Sequence, residues 1–185
     1  DLSSDVTPDV TVDLDNTGAV QGDVVTLLSG TSQVGSITLN QAQASASSVT
    51  ITAADLGADG SKSLTATVTD AAGNVSVASA TLDYTVDTTA PTIDQGTVFT
   101  WTENTSAEFT LTASEAVTWS SGTLTNATLS SSGVLNVSTT PSTTIDYDVI
   151  ATDTAGNATT KTVTVSSVPF AVFNASDEYV SAHPD

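Results

Sequence analysis

Aspartate carboxylates are the side chains of this sequence with the clearest capacity for chemistry. The chain has 185 residues, and its 21 acidic residues, of which 17 are aspartate, are balanced by only two basic ones, giving a net charge of −19. Several aspartates stand where turns are expected, and hard cations such as Ca²⁺ bind about six to eight oxygen ligands. An acidic surface also simply keeps a protein solvated and resists association. We expect Ca²⁺ at some of these turns and solvated carboxylates elsewhere.

The composition argues against several classes of protein. Nucleic acid is not expected as a partner, because the chain has no basic patch to neutralise phosphates. No apolar run reaches the roughly 18 residues of a spanning helix, so membrane insertion is not expected either. Cysteine is absent, the one histidine is His183, and no Gly-x-Ser-x-Gly element occurs. We therefore predict no enzyme and no catalytic residues.

Two stretches that lie 83 residues apart share one pattern. Leu64-Thr-Ala-Thr-Val-Thr-Asp-Ala-Ala-Gly-Asn74 returns as Tyr147-Asp-Val-Ile-Ala-Thr-Asp-Thr-Ala-Gly-Asn157. In each copy an alternating apolar run reaches an aspartate, Asp70 or Asp153, and a small-residue turn then closes on Gly-Asn. A repeat of this kind predicts two copies of one structural unit.

Short runs rich in Thr, Ser and Val, separated by Gly, Asp and Asn, predict strands in both copies. In the first copy the predicted strands are 10–14, 24–28, 34–39, 48–52, 63–69 and 75–86. In the second they are 97–101, 109–113, 117–120, 124–129, 134–137, 145–152 and 160–165. Six or seven short strands per copy predict an all-β chain of two tandem antiparallel β-sandwiches.

The domain boundaries follow from the repeat. We predict one sandwich over 1–88, a second over 89–168, and a tail or the start of another module over 169–185. The connector between the sandwiches, 86–93, is β-branched, lacks glycine and contains Pro91, which restricts the residue before it. We therefore expect a short, stiff linker.

The motifs of both copies resemble a known family. Thr-Asp-Ala-Ala-Gly-Asn at 69–74 followed by Asp-Thr-Thr-Ala-Pro-Thr-Ile at 87–93 is similar to the tandem bacterial immunoglobulin-like repeats of large RTX-type and biofilm-associated surface adhesins. Ala113-Ser-Glu-Ala-Val117 resembles a Ser-Glu-Pro-Val element of related repeats, with Ala116 where proline is usual. The resemblance implies immunoglobulin-like sandwiches that extend an adhesive region from the bacterial cell surface. It further implies Ca²⁺ at the junctions, neighbouring repeats of the same chain as partners, and a monomer.

The strand order of such sandwiches predicts which acids converge. Asp153 and Glu115 are expected at the entry pole of the second sandwich, which faces the connector residue Asp87. The exit pole of the first sandwich is expected to carry four further acids, in two turns: Asp15 and Asp23, and Asp55 and Asp59. Asp70 occupies the place of Asp153 at the entry pole of the first sandwich. We predict these eight residues as candidate Ca²⁺ ligands.

Each candidate also has a purely structural interpretation. Asp70 and Asp153 are in the right place to accept hydrogen bonds from their own turns. The run 13–18 partly resembles an EF-hand loop, but it lacks the acid at the fifth position and the terminal Glu, so we expect a strand end plus a turn there. Tyr147 is expected to point inward and bond backbone, with Leu64 in the matching place. Trp101 and Trp119 are expected to cap the second core. The alternative function is a module that binds glycan or peptide, with these tryptophans as its platform.

Overall fold

A computed structural model of the chain describes residues 1–94, 98–102, 106–138 and 144–168, without the side chains of 101, 102, 167 and 168. The prediction for 169–185 therefore lies outside the described residues. By its contacts the chain divides into two compact units. The first unit comprises Asp1–Thr89 with Thr154–Asn157, and the second comprises Ala90–Asp153 with Ala158–Asp185, of which residues up to 168 are described. The described residues contain no helix with the length and hydrophobicity of a membrane span.

The first unit is a β-sandwich, and alternation of apolar and polar residues produces most of its strands. Its described elements are β1 (Leu2–Ser3), β2 (Asp9–Asp13), β3 (Val24–Ser29), β4 (Ser32–Thr38), α1 (Gln41–Ser45), β5 (Ser48–Thr52), β6 (Gly60–Thr69) and β7 (Leu82–Val86). One sheet has the order β1-β7-β6-β3-β4, and the other pairs β2 with β5. Val10 and Ile51 of the small sheet pack against Val25, Leu27 and Leu64 of the large one to form the core.

The second unit has the same all-β architecture. Its described strands are β8 (Val98–Thr102), β9 (Ala107–Thr110), β10 (Thr118–Ser121), β11 (Ala127–Leu129), β12 (Val134–Val137), β13 (Ile145–Thr152) and β14 (Ala158–Val168). They form sheets of order β10-β13-β14-β8 and β11-β12-β9. Val149 and Val163 are fully buried beside Leu135 and Val137 of the opposite sheet. The predicted pair of β-sandwiches is thereby confirmed.

The predicted strand 75–86 is wrong over its first half. Val75 makes one isolated bridge with Thr69, and ladder pairing resumes only in β7. Between them, the hydroxyls of Ser76 and Ser79 accept hydrogen bonds of 3.0 Å from the backbone N–H groups of β6, at positions 68 and 66. Because side-chain oxygens here take the place of backbone carbonyls, the segment follows β6 without forming a regular ladder.

Each unit also has one parallel strand pair that the sequence did not predict. In the first unit β1 runs parallel to β7, with Leu2 opposite Thr85 and Ser3 opposite Val86. In the second unit β8 pairs in parallel with β14. The sheets are therefore mixed, and the first strand of each unit joins the sheet of the last. This pairing fixes the backbone immediately before Asp87.

Candidate metal centre

The aspartate of the first repeated turn is engaged by its own turn. Asp70 Oδ1 accepts hydrogen bonds from the N–H groups of Ala72 (2.9 Å) and Asn74 (2.8 Å), and Oδ2 accepts one from Asn74 Nδ2 (2.8 Å). The Asn74 side chain, followed by its backbone N–H, holds the pKa of Asp70 below its usual value. Gly73 has φ +87°, a conformation that favours glycine. The structural interpretation of this turn is confirmed, while metal binding at Asp70 stays a prediction.

The second repeated turn brings two acids of the second unit together. Asp153 directly follows β13, and Glu115 lies in the turn before β10, where Ala113 makes a bridge with Ile93. Their carboxylate oxygens lie within 4.8 Å of each other. Asp153 is only 8% exposed, whereas Glu115 is exposed and accepts no hydrogen bond from the described residues. Two carboxylates this close repel each other unless a cation or a proton lies between them.

Asp87 directly follows β7 and is held by the first unit on several sides. Its N–H donates to the carbonyl oxygen of Ser3 (3.0 Å), and its own carbonyl accepts a 2.7 Å hydrogen bond from Asn157 Nδ2. Its Oδ1 accepts a 3.1 Å hydrogen bond from the N–H of Thr89. Among the described residues Oδ2 has no hydrogen-bond donor, so this oxygen is available to a ligand.

Asp59 precedes β6 and binds the residues that follow Asp87. Asp59 Oδ1 accepts hydrogen bonds from the N–H (2.8 Å) and the hydroxyl (2.7 Å) of Thr88, and Oδ2 accepts one from the hydroxyl of Thr89 (2.6 Å). The Thr89 hydroxyl first, and then Thr88, hold the pKa of Asp59 below its usual value. Its carboxylate therefore already has three protein donors.

The remaining candidates stand in turns of the first unit. Asp23 is 5% exposed and accepts a 2.9 Å hydrogen bond from the N–H of Val20. Asp55 Oδ1 accepts one of 2.8 Å from the N–H of Gly57, and Asp15 is exposed. None of these three, nor Asp59 or Asp70, belongs to a group of three acids within 4.8 Å in the described part of the chain. Their role as ligands stays a prediction.

The EF-hand resemblance of 13–18 is explained by local geometry. Strand β2 ends at Asp13, whose Oδ1 accepts a 2.8 Å hydrogen bond from the N–H of Asp15. The carbonyl of Leu14 then accepts hydrogen bonds from the N–H (3.1 Å) and the hydroxyl (2.6 Å) of Thr17. A strand end and a turn account for these residues, as the alternative interpretation predicted.

Tyr84, Trp119 and Tyr147 belong to the cores of their units. Tyr147 is 2% exposed and its hydroxyl donates to the Thr125 carbonyl (2.9 Å), as expected of an inward tyrosine, and burial raises its pKa. Sequence reasoning missed Tyr84, whose hydroxyl donates to the Asp5 carbonyl (2.6 Å). Trp119 is buried as predicted, whereas the Trp101 side chain lies outside the described ones.

The donor set of the second unit fits a hard cation. Glu115 and Asp153 offer carboxylate oxygens at a separation that one ion can bridge, and Ca²⁺ prefers oxygen to nitrogen or sulfur ligands. Asp153 is buried and Glu115 is exposed. An ion between them would therefore contact protein near Asp153 and water near Glu115. Two carboxylates do not complete a Ca²⁺ shell, so further oxygens must come from other residues or from water.

Comparison with known proteins assigns the fold of the first unit. Residues 3–88 match the model of a family described as bacterial Ig-like domain. This range covers nearly all of Asp1–Thr89, the main segment of the first unit. The first sandwich therefore has a bacterial immunoglobulin-like fold. None of the curated proteins compared with the chain matches it.

Solved structures with similar architecture include modules from several sources. Fibronectin(III)-like modules of CbhA from Clostridium thermocellum are 17% identical, with a TM-score of 0.41, over 89% of this chain and 87% of that one. The titin I-band fragment I67–I69 is 12% identical, with a TM-score of 0.43, over 89% of this chain and 61% of the fragment. Human CDH23 EC21–23 is 15% identical, with a TM-score of 0.37, over 80% and 59%. These likenesses add nothing to the assignment made by the family match.

Proposed function

We propose that the chain is a structural extender segment of a bacterial cell-surface adhesin, which holds an adhesive region away from the cell. The observation that carries this proposal is the short connector after β7. Thr88 and Thr89 are bound by Asp59 of the first unit. In the second unit Pro91 is fully buried and Thr92 exchanges hydrogen bonds of 2.9 Å with Ser114. A single residue, Ala90, separates the two held segments, which favours a stiff series of domains over a flexible string.

The family match supports a surface role for the array. Bacterial immunoglobulin-like domains are typical modules of extracellular and surface proteins, and residues 3–88 match such a domain. The second sandwich repeats the turn of the first, as expected if function belongs to an array of units instead of a single pocket. The partners of each unit would be its neighbours in the same chain, and the chain itself would act as a monomer.

We further propose that Ca²⁺ stiffens this segment, with Asp87, Glu115 and Asp153 as ligands. The closeness of Glu115 and Asp153 supports two of the ligands. The free Oδ2 of Asp87 supports the third, as does the short path from Asp87 to the second unit. When bound, the ion would neutralise carboxylates that otherwise repel one another. Asp15, Asp23, Asp55 and Asp70 would serve at most as ligands of other ions.

Calorimetric titration with Ca²⁺ tests this proposal. The wild type should bind, and Asp153→Asn should weaken binding by more than about tenfold, because it removes one charged ligand. Asp148→Asn is the matched control, since Asp148 lies on β13 and accepts a hydrogen bond from Thr162 on the neighbouring strand. At 100-fold excess over Kd, Ca²⁺ should raise the free energy of unfolding by about 2.7 kcal/mol. Equal affinity of both variants would reject Asp153 as a ligand.

The alternative of a glycan-binding or peptide-binding module receives less support. The predicted sugar platform needs an exposed aromatic face, and Trp119 is only 6% exposed. Its indole packs so closely that a methyl group added at Gly133 would lie 2.6 Å from Nε1. Trp119 therefore has a structural role, and the described side chains offer no tryptophan platform for a sugar.

A further inference from the structure

The carboxylate of Asp59 and the carboxylate of Asp87 share one neighbour. Thr89 donates its hydroxyl to Asp59 Oδ2 at 2.6 Å and its backbone N–H to Asp87 Oδ1 at 3.1 Å. Thr88, between Asp87 and Thr89, donates both its N–H and its hydroxyl to Asp59 Oδ1. Asp59 thus holds Thr89, whose N–H binds the Asp87 side chain, and Thr88, which lies between them.

The loop that carries Asp59 is itself firmly attached. Gly60 begins β6 and pairs with Val86, the residue before Asp87. Its φ of +125° is one that residues with a Cβ rarely adopt. Lys62 Nζ donates a 2.7 Å hydrogen bond to the carbonyl of Ala58, on the other side of Asp59. The positive charge of Lys62 also favours the charged form of Asp59. The loop that carries Asp59 is therefore attached to the end of β7, the strand after which Thr88 and Thr89 follow.

Asp87 is held from its other sides as well. Its N–H is bound by the Ser3 carbonyl and its carbonyl by Asn157. With Thr89 on Oδ1, the oxygen that has no donor in the described part of the chain is Oδ2. A ligand oxygen that is fixed before the ion arrives loses little conformational entropy on binding, which increases affinity.

We infer that Asp59 is a positioning residue for Asp87 and not a Ca²⁺ ligand. This inference rests on the proposed function, because it assumes that Asp87 binds the ion. Through Thr88 and Thr89, Asp59 keeps Oδ2 of Asp87 directed for binding in the metal-free protein. Its two oxygens already accept three hydrogen bonds from Thr88 and Thr89, so Asp59 acts on the ion through Asp87.

Two pairs of variants test the inference, and each pair includes its own control. Asp59→Ala removes the acceptor, while Asp148→Ala removes an acid that accepts a hydrogen bond from the Thr162 hydroxyl and is not a candidate ligand. Thr89→Val removes the hydroxyl and keeps the shape of the side chain, while Thr89→Ser keeps the hydroxyl. The second pair preserves the test if Asp59→Ala fails to fold. Circular dichroism and melting curves show whether each variant folds.

The first measurement is amide hydrogen exchange without Ca²⁺. Exchange at Thr88 should rise about tenfold in Asp59→Ala, since its N–H loses a charged acceptor. Exchange at position 89 should rise in Thr89→Val, while Asp148→Ala and Thr89→Ser should match the wild type. Unchanged exchange in Asp59→Ala and Thr89→Val would show that Asp59 does not hold Thr88 and Thr89, whatever the protein does with Ca²⁺.

The second measurement is Ca²⁺ affinity by calorimetry. Asp59→Ala and Thr89→Val, where folded without Ca²⁺, should bind Ca²⁺ several-fold more weakly, and both controls should bind as the wild type does. Faster exchange with unchanged affinity would overturn the positioning role and leave the proposed Ca²⁺ site intact. If the wild type itself binds no Ca²⁺, the proposed site and the positioning role both fail.

Discussion

The side-chain amide of Asn157 donates a 2.7 Å hydrogen bond to the backbone carbonyl of Asp87, 70 residues earlier in the chain. In the other copy of the repeated turn, Asn74 instead uses its amide to bind Asp70 within the same turn. The turn Thr154–Asn157 also contributes the carbonyl of Ala155, which accepts a 3.1 Å hydrogen bond from the N–H of Ser4. The asparagine of the second copy thus binds the connector.

Asn157→Ala should loosen the backbone at Asp87. The carbonyl of Asp87 would lose a partly buried donor, at a cost of about 1 kcal/mol in the free energy of unfolding of the first unit. Amide exchange at Thr88 and Thr89 should rise, as measured by NMR. Asn74→Ala is the control, because its side chain bonds a different turn. If both variants leave amide exchange at 88 and 89 unchanged, the hydrogen bond from Asn157 to Asp87 does not hold the backbone of the connector.

The pKa of Asp70 should depend on Asn74. A carboxyl whose pKa is lowered by folding adds stability at pH values above its unfolded pKa, and this contribution is lost as the pH falls through the folded value. In a carbon-13 titration of the side-chain carboxyls, the pKa of Asp70 should lie below the usual value of an aspartate, and Asn74→Ala should raise it. An unchanged midpoint in Asn74→Ala would show that the amide does not stabilise the carboxylate.

The buried tyrosine hydroxyls should stabilise their own units separately. Tyr84→Phe leaves the carbonyl of Asp5 without its donor, and Tyr147→Phe does the same to Thr125. Each substitution should lower the free energy of unfolding of its own unit by about 1 kcal/mol, with the ring packing retained. Urea unfolding followed by NMR signals from each unit gives both values. If either variant lowers the free energy of unfolding of both units, the two hydroxyls do not stabilise their units separately.

The two serines before β7 should differ in importance. Ser79→Ala leaves the N–H of Ala66 without an acceptor in a partly buried position, while Ser76→Ala does so for Val68 at an exposed one. Water can replace the hydroxyl only in the second case, so Ser79→Ala should cost about 1 kcal/mol more. Ser79→Thr, which keeps a hydroxyl, should retain most of the stability that Ser79→Ala loses. Equal losses in urea unfolding would show that burial does not decide the cost of losing these acceptors.

The sequence predicted what depends on local pattern. Alternating residues located β13 and β14, and the small-residue turn located Asp70 and Asp153. Partners distant in sequence were not predictable in this way. Asp59 forms a hydrogen bond with Thr88, 29 residues later, and Tyr84 forms one with Asp5, 79 residues earlier. No sequence pattern in either segment indicates its partner. The two-residue strand β1 is too short to show any periodicity.

The strand 75–86 was mispredicted for a different physical reason. Its apolar residues alternate as in a strand, yet Val77 is 90% exposed. The hydroxyls of Ser76 and Ser79 offered β6 an acceptor other than the backbone, and propensity scales treat serine only as a residue that is neutral in strands. Competition between a side-chain and a backbone acceptor is decided by tertiary geometry, which a single sequence does not contain.

Nitrogen-15 relaxation in Ca²⁺, in EDTA, and in Ca²⁺ with Asp153→Asn tests the extender proposal most directly. If Ca²⁺ bound by Asp87, Glu115 and Asp153 couples the two sandwiches, both should tumble with one long correlation time in Ca²⁺. In EDTA and in Asp153→Asn they should show shorter, separate correlation times while each remains folded, because the short connector limits relative motion without abolishing it. Identical relaxation in all three samples would contradict the proposal that the ion stiffens the segment.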